Sequence, residues 1–335
     1  MVNLIAALKR PSVMILLMWI DEVFMDAKSR CALDQHAKSY QVLITTDIQQ
    51  VLQCADDIEV VLGDFPRQEL SSLPNLRWFQ QFGTGVEWLQ DYPELVHKPF
   101  LLTNCSDGHF DVVADHLMAL LLGVLRGIPT AVRNQQQANW QQTSLTECDS
   151  LFQIRGKTVL IIGLGSVGIA IAARLKAFGA HVIGIRRDPT KASDNVDEVY
   201  PLGELNEVAK IANIVVSCLP RTTQTYHLFN DHFFACMKKP AFFFNIGRGN
   251  AVNEDDLANA LSTGVLYGAG IDVCTQEPLG RDSPLWALDN LLITPHIGGT
   301  YDQVIETWRD VALDNLQLYT TEQPLRNQVT KASGY

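Results

Sequence analysis

The segment Gly163-Leu164-Gly165-Ser166-Val167-Gly168 narrows the folds open to this chain more than any other feature. An apolar run, Thr158–Ile162, precedes it. A helical stretch, Ser166–Phe178, follows and is closed by Gly179, and a second apolar run, His181–Ile185, comes next. Glycines at this spacing, between a strand and a helix, mark the turn of a βαβ unit that binds a dinucleotide. Gly163 permits the tight turn, Gly165 lets the backbone approach a pyrophosphate, and Gly168 lets helix and strand pack closely. The helix start at Ser166 and Val167 offers N–H groups and a positive dipole end to phosphate.

The pattern extends in both directions. Ile214–Ser217, Ala241–Asn245, Gly268–Ile271 and Leu291–Ile293 read as further strands. The first hundred residues alternate too: Val13–Met18, Val42–Ile44, Ile58–Leu62, Arg77–Gln81 and Phe100–Leu102 are strand-like, with polar or helical pieces between them. Such alternation predicts parallel sheets. A helix is expected over Phe110–Arg126, ended by Gly127 and Pro129, with a polar helix and loop over Asn134–Gln142 packed on other structure. A last helix, Tyr301–Thr321, is placed to pack back on the first domain. The expected fold class is α/β, with two Rossmann-like, doubly wound parallel-sheet domains, the first flavodoxin-like and discontinuous. Residues 1–105 plus 298–335 form the expected substrate domain, and 106–297 the expected dinucleotide-binding domain.

Composition bounds the partners. A length of 335 residues, 47% of them hydrophobic, suffices for two buried cores. The net charge of −11 argues against nucleic acid, which needs a basic face. Seven scattered cysteines, Cys31, Cys54, Cys105, Cys148, Cys218, Cys236 and Cys274, show no Cys-x-x-Cys spacing. Reduced thiols in the cytoplasm and no metal site are therefore expected. Val13–Ile20 follows Lys9 and Arg10 and mimics a signal peptide, but Asp21 and Glu22 come at once and no small-residue cleavage site does. That run and Leu117–Leu125 are both too short to span a membrane.

Three loops of the last third carry chemistry. Asn245-Ile246-Gly247-Arg248-Gly249 presents Arg248, Ile271-Asp272-Val273-Cys274-Thr275-Gln276-Glu277-Pro278 presents Glu277, and Thr294-Pro295-His296-Ile297-Gly298-Gly299 presents His296. A histidine ordinarily titrates near neutrality and suits proton transfer. A glutamate on its other ring nitrogen favours the imidazolium and fixes its orientation. An arginine fork binds a carboxylate with direction, as a lysine does not. With a dinucleotide nearby, the set reads as a dehydrogenase of 2-hydroxy or 2-keto acids. After the second strand of the glycine unit comes Arg186-Arg187-Asp188, where an NAD site usually places a carboxylate for the ribose 2′-hydroxyl. Two guanidiniums suit a 2′-phosphate, so NADP is expected over NAD; the alternative has both arginines solvated and Asp188 holding the ribose.

These loops, with Cys218-Leu219-Pro220-Arg221-Thr222-Thr223-Gln224-Thr225, Gln81-Phe82-Gly83-Thr84-Gly85-Val86-Glu87 and Ala114-Asp115-His116, resemble the D-isomer-specific 2-hydroxyacid dehydrogenase family over nearly the whole chain. The nearest kind is the glyoxylate/hydroxypyruvate reductases. The resemblance implies Arg248, Glu277 and His296 as catalytic residues. It implies a cofactor site of Gly163, Gly165, Ser166, Val167, Gly168, Arg186, Arg187, Cys218, Leu219, Pro220, Thr225, Ile246, Gly247, Arg248, Asp272, His296 and Gly299, with Asp272 accepting from the nicotinamide carboxamide. Thr84, Gly85 and Val86 are implied to hold the substrate carboxylate by backbone N–H groups, together with Arg248 and His296. A homodimer follows from the same resemblance, with Trp140 reaching across its interface; Trp140 and Trp286 are read either as limiting the pocket or, more simply, as buried interface packing.

The expected activity is reversible NAD(P)H-dependent reduction of a small 2-keto acid, of glyoxylate or hydroxypyruvate type, to the D-2-hydroxy acid. Two other readings stay open: a related dehydrogenase of phosphoglycerate or phosphite, and a non-enzymatic, nucleotide-sensing protein like the corepressors of the family. Glu277 stands where formate dehydrogenases of the superfamily carry glutamine, which disfavours that activity.

Overall fold

The computed structural model describes residues 13–106, 110–141, 151–190 and 195–332. The chain divides into two compact units, Met1–Gly108 with Asp302–Tyr335, and His109–Tyr301.

Unit 1 holds five strands: β1 (Ile15–Trp19), β2 (Gln41–Ile44), β3 (Ile58–Gly63), β4 (Trp78–Gln81) and β5 (Leu101–Thr103). All pairs are parallel, in the order β2-β1-β3-β4-β5, which is flavodoxin-like. A parallel sheet is covered on both faces, so its strands read as nearly unbroken apolar runs. The alternation is visible in β1: Ile15 and Leu17 enter one core cluster, Leu16 and Met18 the other.

The helices of unit 1 are α1 (Ala27–His36), α2 (Ile48–Gln53), α3 (Pro93–Val96) and, from the returning chain, α10 (Val304–Thr320). Asp26 starts α1 by accepting the Ser29 N–H at 2.7 Å. Val311, Ala312, Leu313 and Leu316 of α10 share the core of Leu16, Met18, Val60 and Leu62. A buried polar chain locks this face. Trp78 Nε1 donates to Thr103 Oγ1 at 2.8 Å, and Thr103 Oγ1 and Asn315 Nδ2 each donate to Gln80 Oε1 at 2.7 Å. Buried polar groups persist only when paired, and these are. The Val329 N–H donates to Leu102 O at 2.8 Å, which ties the end of the chain to β5.

Unit 2 opens with α4 (Phe110–Leu125) and α5 (Ile128–Gln136). There follow β6 (Thr158–Ile162), α6 (Ser166–Ala177), β7 (His181–Ile185), β8 (Glu198–Tyr200), α7 (Leu205–Ala209), β9 (Ile214–Ser217), α8 (Asp231–Cys236), β10 (Phe242–Asn245), α9 (Glu254–Ser262), β11 (Gly268–Ile271) and β12 (Leu291–Ile293). Seven parallel strands take the order β12-β11-β10-β9-β6-β7-β8. Chain order reverses between β6 and β9, the switch point at which an open α/β sheet makes its ligand crevice. Leu160, Ile162, Val215 and Phe243 fill one face, and Val159, Ile161, Val216, Phe242 and Phe244 the other. Full burial of each such side chain contributes roughly 1.5–3 kcal/mol. Arg174 of α6 clamps α4 through Asp111 at 3.1 Å and Asp115 at 2.7 Å, which gives the acid of Ala114-Asp115-His116 a helix-packing duty.

Several details differ from the sequence expectation. Pro129 lies in the first turn of α5 and helps start it, because its fixed φ and missing N–H suit that position. Strand β8 was not expected: three residues at a sheet edge, none fully buried, carry little apolar signal. Helix α9 was not expected either, although Asn253 caps it and Glu254, Asp255 and Asp256 fill its first turn. The stretch after α5 is exposed rather than packed, with Trp140 90% accessible, and Trp286, far along the chain, is also exposed, at 55%; Gln142 lies outside the described residues. Among the described residues no single helix is long and apolar enough to cross a membrane.

Candidate active site

The glycine turn lies at the switch point of unit 2. Gly163 turns the chain with φ of 102°. A Cβ on Gly168 would stand 2.1 Å from Gly163 O, so only glycine lets α6 start this close to β6. Gly165 precedes α6 and gives it no side-chain cap, and a Cβ added there meets nothing within 4 Å. The space beside Gly165 at the start of α6 is thus open, which fits a pyrophosphate there.

At the end of β7 the Arg186 N–H donates to Tyr200 O of β8 at 3.1 Å. Arg186 is half-buried and Arg187 exposed. Asp188 Oδ1 accepts both the N–H of Thr190, at 3.1 Å, and its hydroxyl, at 2.6 Å, closing a turn on itself. Across the switch point, burial pushes the Cys218 thiol up to about 12, so it stays protonated and unreactive at neutral pH. The Thr225 hydroxyl donates to Pro220 O at 2.8 Å and accepts the Thr222 N–H at 2.9 Å, so it shapes its own loop.

The three chemistry-bearing loops leave β10, β11 and β12, which are neighbours in register with Asn245 beside Ile271 and Ile271 beside Ile293. Parallel strands deliver all three loops to one edge. Asn245, fully buried, sets the first: its Oδ1 accepts the Gly247 N–H at 3.2 Å and its Nδ2 donates to Arg248 O at 3.0 Å. Ile246 is fixed by its N–H donating to Ser217 O at 3.1 Å. Arg248 is half-buried in extended backbone, with one Nη1 contact to Gly247 O at 2.8 Å. Gly249 presses on the next loop, and a Cβ there would lie 1.9 Å from the Cys274 carbonyl carbon.

Glu277 bridges. Its Oε1 accepts the Cys274 N–H at 3.0 Å, and its Oε2 lies 2.6 Å from His296 Nδ1. A carboxylate only accepts, so in this pair Nδ1 carries the proton and Nε2 is left for chemistry. The two side chains are 39% and 48% accessible, so a ligand can reach them.

His296 adopts φ of 53°, an uncommon backbone for a residue with a Cβ. Asp272, 3% accessible, holds it there. The His296 N–H donates to Asp272 O at 2.8 Å. The carboxylate brackets the histidine from both sides, with Oδ1 accepting the Thr294 hydroxyl at 2.6 Å and the Ile297 N–H at 3.0 Å, and Oδ2 accepting the Gly298 N–H at 2.9 Å. His116 of α4 completes the shell, its Nε2 lying 3.2 Å from Asp272 Oδ1 and 2.9 Å from Thr294 Oγ1. The Thr294 proton is spent on Asp272, so His116 Nε2 donates. Gly299 lies inside the turn closed by the Thr300 N–H on Ile297 O at 2.9 Å.

Thr84, Gly85 and Val86 belong to unit 1, in the loop after β4. The sequence reading gave no role to Asn245, Thr294 or His116. Asn245 and Thr294 do share a signal: each is a polar residue closing or following an apolar strand. Among the described residues no group of three or more His, Cys, Asp or Glu side chains is arranged to hold a metal ion.

Residues 118–298 match the family model described as D-isomer specific 2-hydroxyacid dehydrogenase, NAD binding domain. The glyoxylate reductase/hydroxypyruvate reductase of Mus musculus is 38% identical over 247 residues, 72% of this chain and 73% of that protein. A D-isomer specific 2-hydroxyacid dehydrogenase family protein from Aeromonas salmonicida is 30% identical, with a TM-score of 0.79 over 96% of this chain and all of that one. A D-isomer specific 2-hydroxyacid dehydrogenase from Xanthobacter autotrophicus Py2, solved with NADPH and MES, is 28% identical, with a TM-score of 0.77 over 96% of this chain and 99% of that one.

Proposed function

This chain belongs to the D-isomer specific 2-hydroxyacid dehydrogenase family, and from that premise we propose that it reduces a small 2-keto acid, of glyoxylate or hydroxypyruvate type, to the D-2-hydroxy acid with NADPH. The observation that carries this reading is the His296–Glu277 pair at 2.6 Å, on loops that neighbour the Arg248 loop along one sheet edge.

The cofactor, when bound, supplies the hydride that adds to the keto carbon. Gly163, Gly165 and Gly168 open the turn to its pyrophosphate, and Ser166 and Val167 present helix-start N–H groups. Cys218, Leu219, Pro220, Thr225, Ile246, Gly247 and Gly299 line the neighbouring strand ends. Arg186 and Arg187 receive a ribose 2′-phosphate, and the turn that Asp188 makes with Thr190 supports this over a ribose-binding Asp188.

His296 Nε2 delivers the proton to the keto oxygen while Nδ1–H stays on Glu277. Hydride on carbon and proton on oxygen complete the alcohol. Arg248 grips the substrate carboxylate, and Thr84, Gly85 and Val86 bind it through their backbone. The resemblance assigns Asp272 to the nicotinamide carboxamide, but its contacts support another duty. With four protein donors around it, the carboxylate anchors the loop that carries His296.

The same reading divides labour between the units, unit 1 for substrate and unit 2 for dinucleotide, and takes the protein as a cytoplasmic homodimer. The exposed Ile128, Val132 and Trp140 around α5 support the dimer, and the free Cys31, Cys54, Cys105, Cys218, Cys236 and Cys274 support a reducing compartment. The test is a panel of 2-keto acids assayed by nicotinamide absorbance with NADPH and with NADH. Turnover of glyoxylate or hydroxypyruvate with a lower KM for NADPH is expected. No oxidation of either nucleotide with any acid overturns the activity, and equal KM values overturn the cofactor preference.

A further inference from the structure

Three consecutive carbonyls in the loop after β4 are each taken by a different donor. The Cys105 N–H donates to Gly83 O at 2.9 Å, Asn104 Nδ2 to Thr84 O at 2.9 Å, and Gln81 Nε2 to Gly85 O at 2.7 Å. None of these peptide bonds is cis. In a planar trans peptide the N–H points opposite to the C=O. Fixing the carbonyls of residues 83, 84 and 85 therefore aims the N–H groups of Thr84, Gly85 and Val86 away from their anchors. Successive N–H groups held in this way make a concavity for an anion.

The two carboxamides are built for this task. Both are buried, Gln81 to 1% and Asn104 to 7% accessibility, and each is held at its other end. Gln81 Oε1 accepts Trp88 Nε1 at 2.8 Å, and Asn104 Oδ1 accepts the Ser106 N–H at 3.2 Å. Trp88 is wedged in turn, with its ring 6.2 Å from Phe79 and the Arg67 guanidinium 5.5 Å from its face. Neither amide is free to rotate and release its carbonyl. A carboxylate in either place could not donate, and it would repel the carbonyl oxygen it faces.

We propose that Gln81 and Asn104 are positioning residues for the substrate carboxylate, acting through the carbonyls of Gly85 and Thr84 to aim the backbone N–H groups that bind it. This rests on the 2-keto acid reading above. It predicts that selectivity for the free acid over its neutral ester is set by two residues that do not touch the substrate.

The experiment uses the full chain and the near-isosteric variants Gln81→Glu and Asn104→Asp. For each, kcat and KM are measured with a 2-keto acid, with its methyl ester, and with NADPH. Each variant is expected to raise the acid's KM about tenfold, the worth of one hydrogen bond of ordinary strength. The ester's KM and the KM for NADPH should stay put, so the acid-to-ester preference falls. An unchanged acid KM, or equal losses for acid and ester, overturns the proposal, since general damage to the loop would weaken both. Asn104→Asp acts on a different carbonyl and carries the test alone should Gln81→Glu fail to fold. A wild-type protein that reduces no keto acid overturns the functional reading itself; an active wild type with unaltered variants overturns only the role of Gln81 and Asn104.

Discussion

Unit 1 and unit 2 are both parallel α/β sheets, yet the loops at their carboxyl ends are made in opposite ways. In the loop after β4 the backbone carbonyls are held by two buried amides from outside the loop, Gln81 at the end of β4 and Asn104 after β5, which serve as props. The loops after β10, β11 and β12 present side chains, with Glu277 and His296 accessible, while backbone N–H groups and the buried Asp272 serve as props. Peptide groups suit an anion that needs only to be held. A proton must be moved by a group that titrates, and only a side chain does. The division of labour proposed for this protein follows from that difference.

The largest test removes the acting side chain. His296→Ala is expected to lower kcat by about 10²- to 10⁴-fold, the usual worth of a positioned general acid, measured at saturating NADPH. Retained turnover would mean that the edge of unit 2 contributes no side-chain proton transfer, and the contrast between the units would fail. A smaller effect comes from the prop. Asp272→Asn replaces an acceptor-only group by one that must turn its NH₂ either toward the Gly298 N–H or toward the Thr294 hydroxyl and the Ile297 N–H. A loss of about 1–3 kcal/mol of stability is expected from the mispaired buried donors, read by denaturant unfolding, with kcat falling as the histidine loop loosens. Unchanged stability would show that the loop holds its shape without Asp272.

The smallest effect lies at the sheet edge beside β8. The Lys176 ammonium, at 2.7 Å, and then the Val182 N–H, also at 2.7 Å, hold the Asp197 carboxyl below the usual carboxylate range. A folded-state pKa below the unfolded one stabilises at pH above the unfolded value and is lost as pH falls through the folded value. Asp197→Asn should therefore lower Tm slightly at neutral pH, with the gap closing below about pH 4, near the ordinary aspartate value. A gap that widens on acidification would contradict this. The comparison with Asp272→Asn measures how much unit 2 relies on charged side chains away from its site.

Much of this was legible in the sequence, for a physical reason. Buried parallel strands must be apolar throughout, so Ile58–Gly63, Thr158–Ile162 and Ile214–Ser217 announce themselves. Arg248, Glu277 and His296 are legible because few residue types can grip a carboxylate or carry a proton. The props are not. Gln81 and Asn104 are amides of no distinctive chemistry, and their partners are peptide carbonyls that every residue has. His116 reaches Asp272 and Thr294 only because α4 folds against strands formed much later in the chain. Strand β8 escaped because three residues at an edge need little burial.

One consequence follows from how unit 1 is closed. The face of its sheet that holds Leu16, Met18, Val60 and Leu62 is completed by Val311, Ala312, Leu313 and Leu316, and the buried Gln80 waits for Asn315. On the ribosome, the five strands of unit 1 emerge first but lack that cover until α10 has been made. Unit 2, one unbroken stretch of chain, has all its strands before then. Synthesis thus runs from one end while folding finishes at the other. The nascent N-terminal sheet exposes an apolar face throughout, and this makes it the stretch on which a chaperone has the longest time to act.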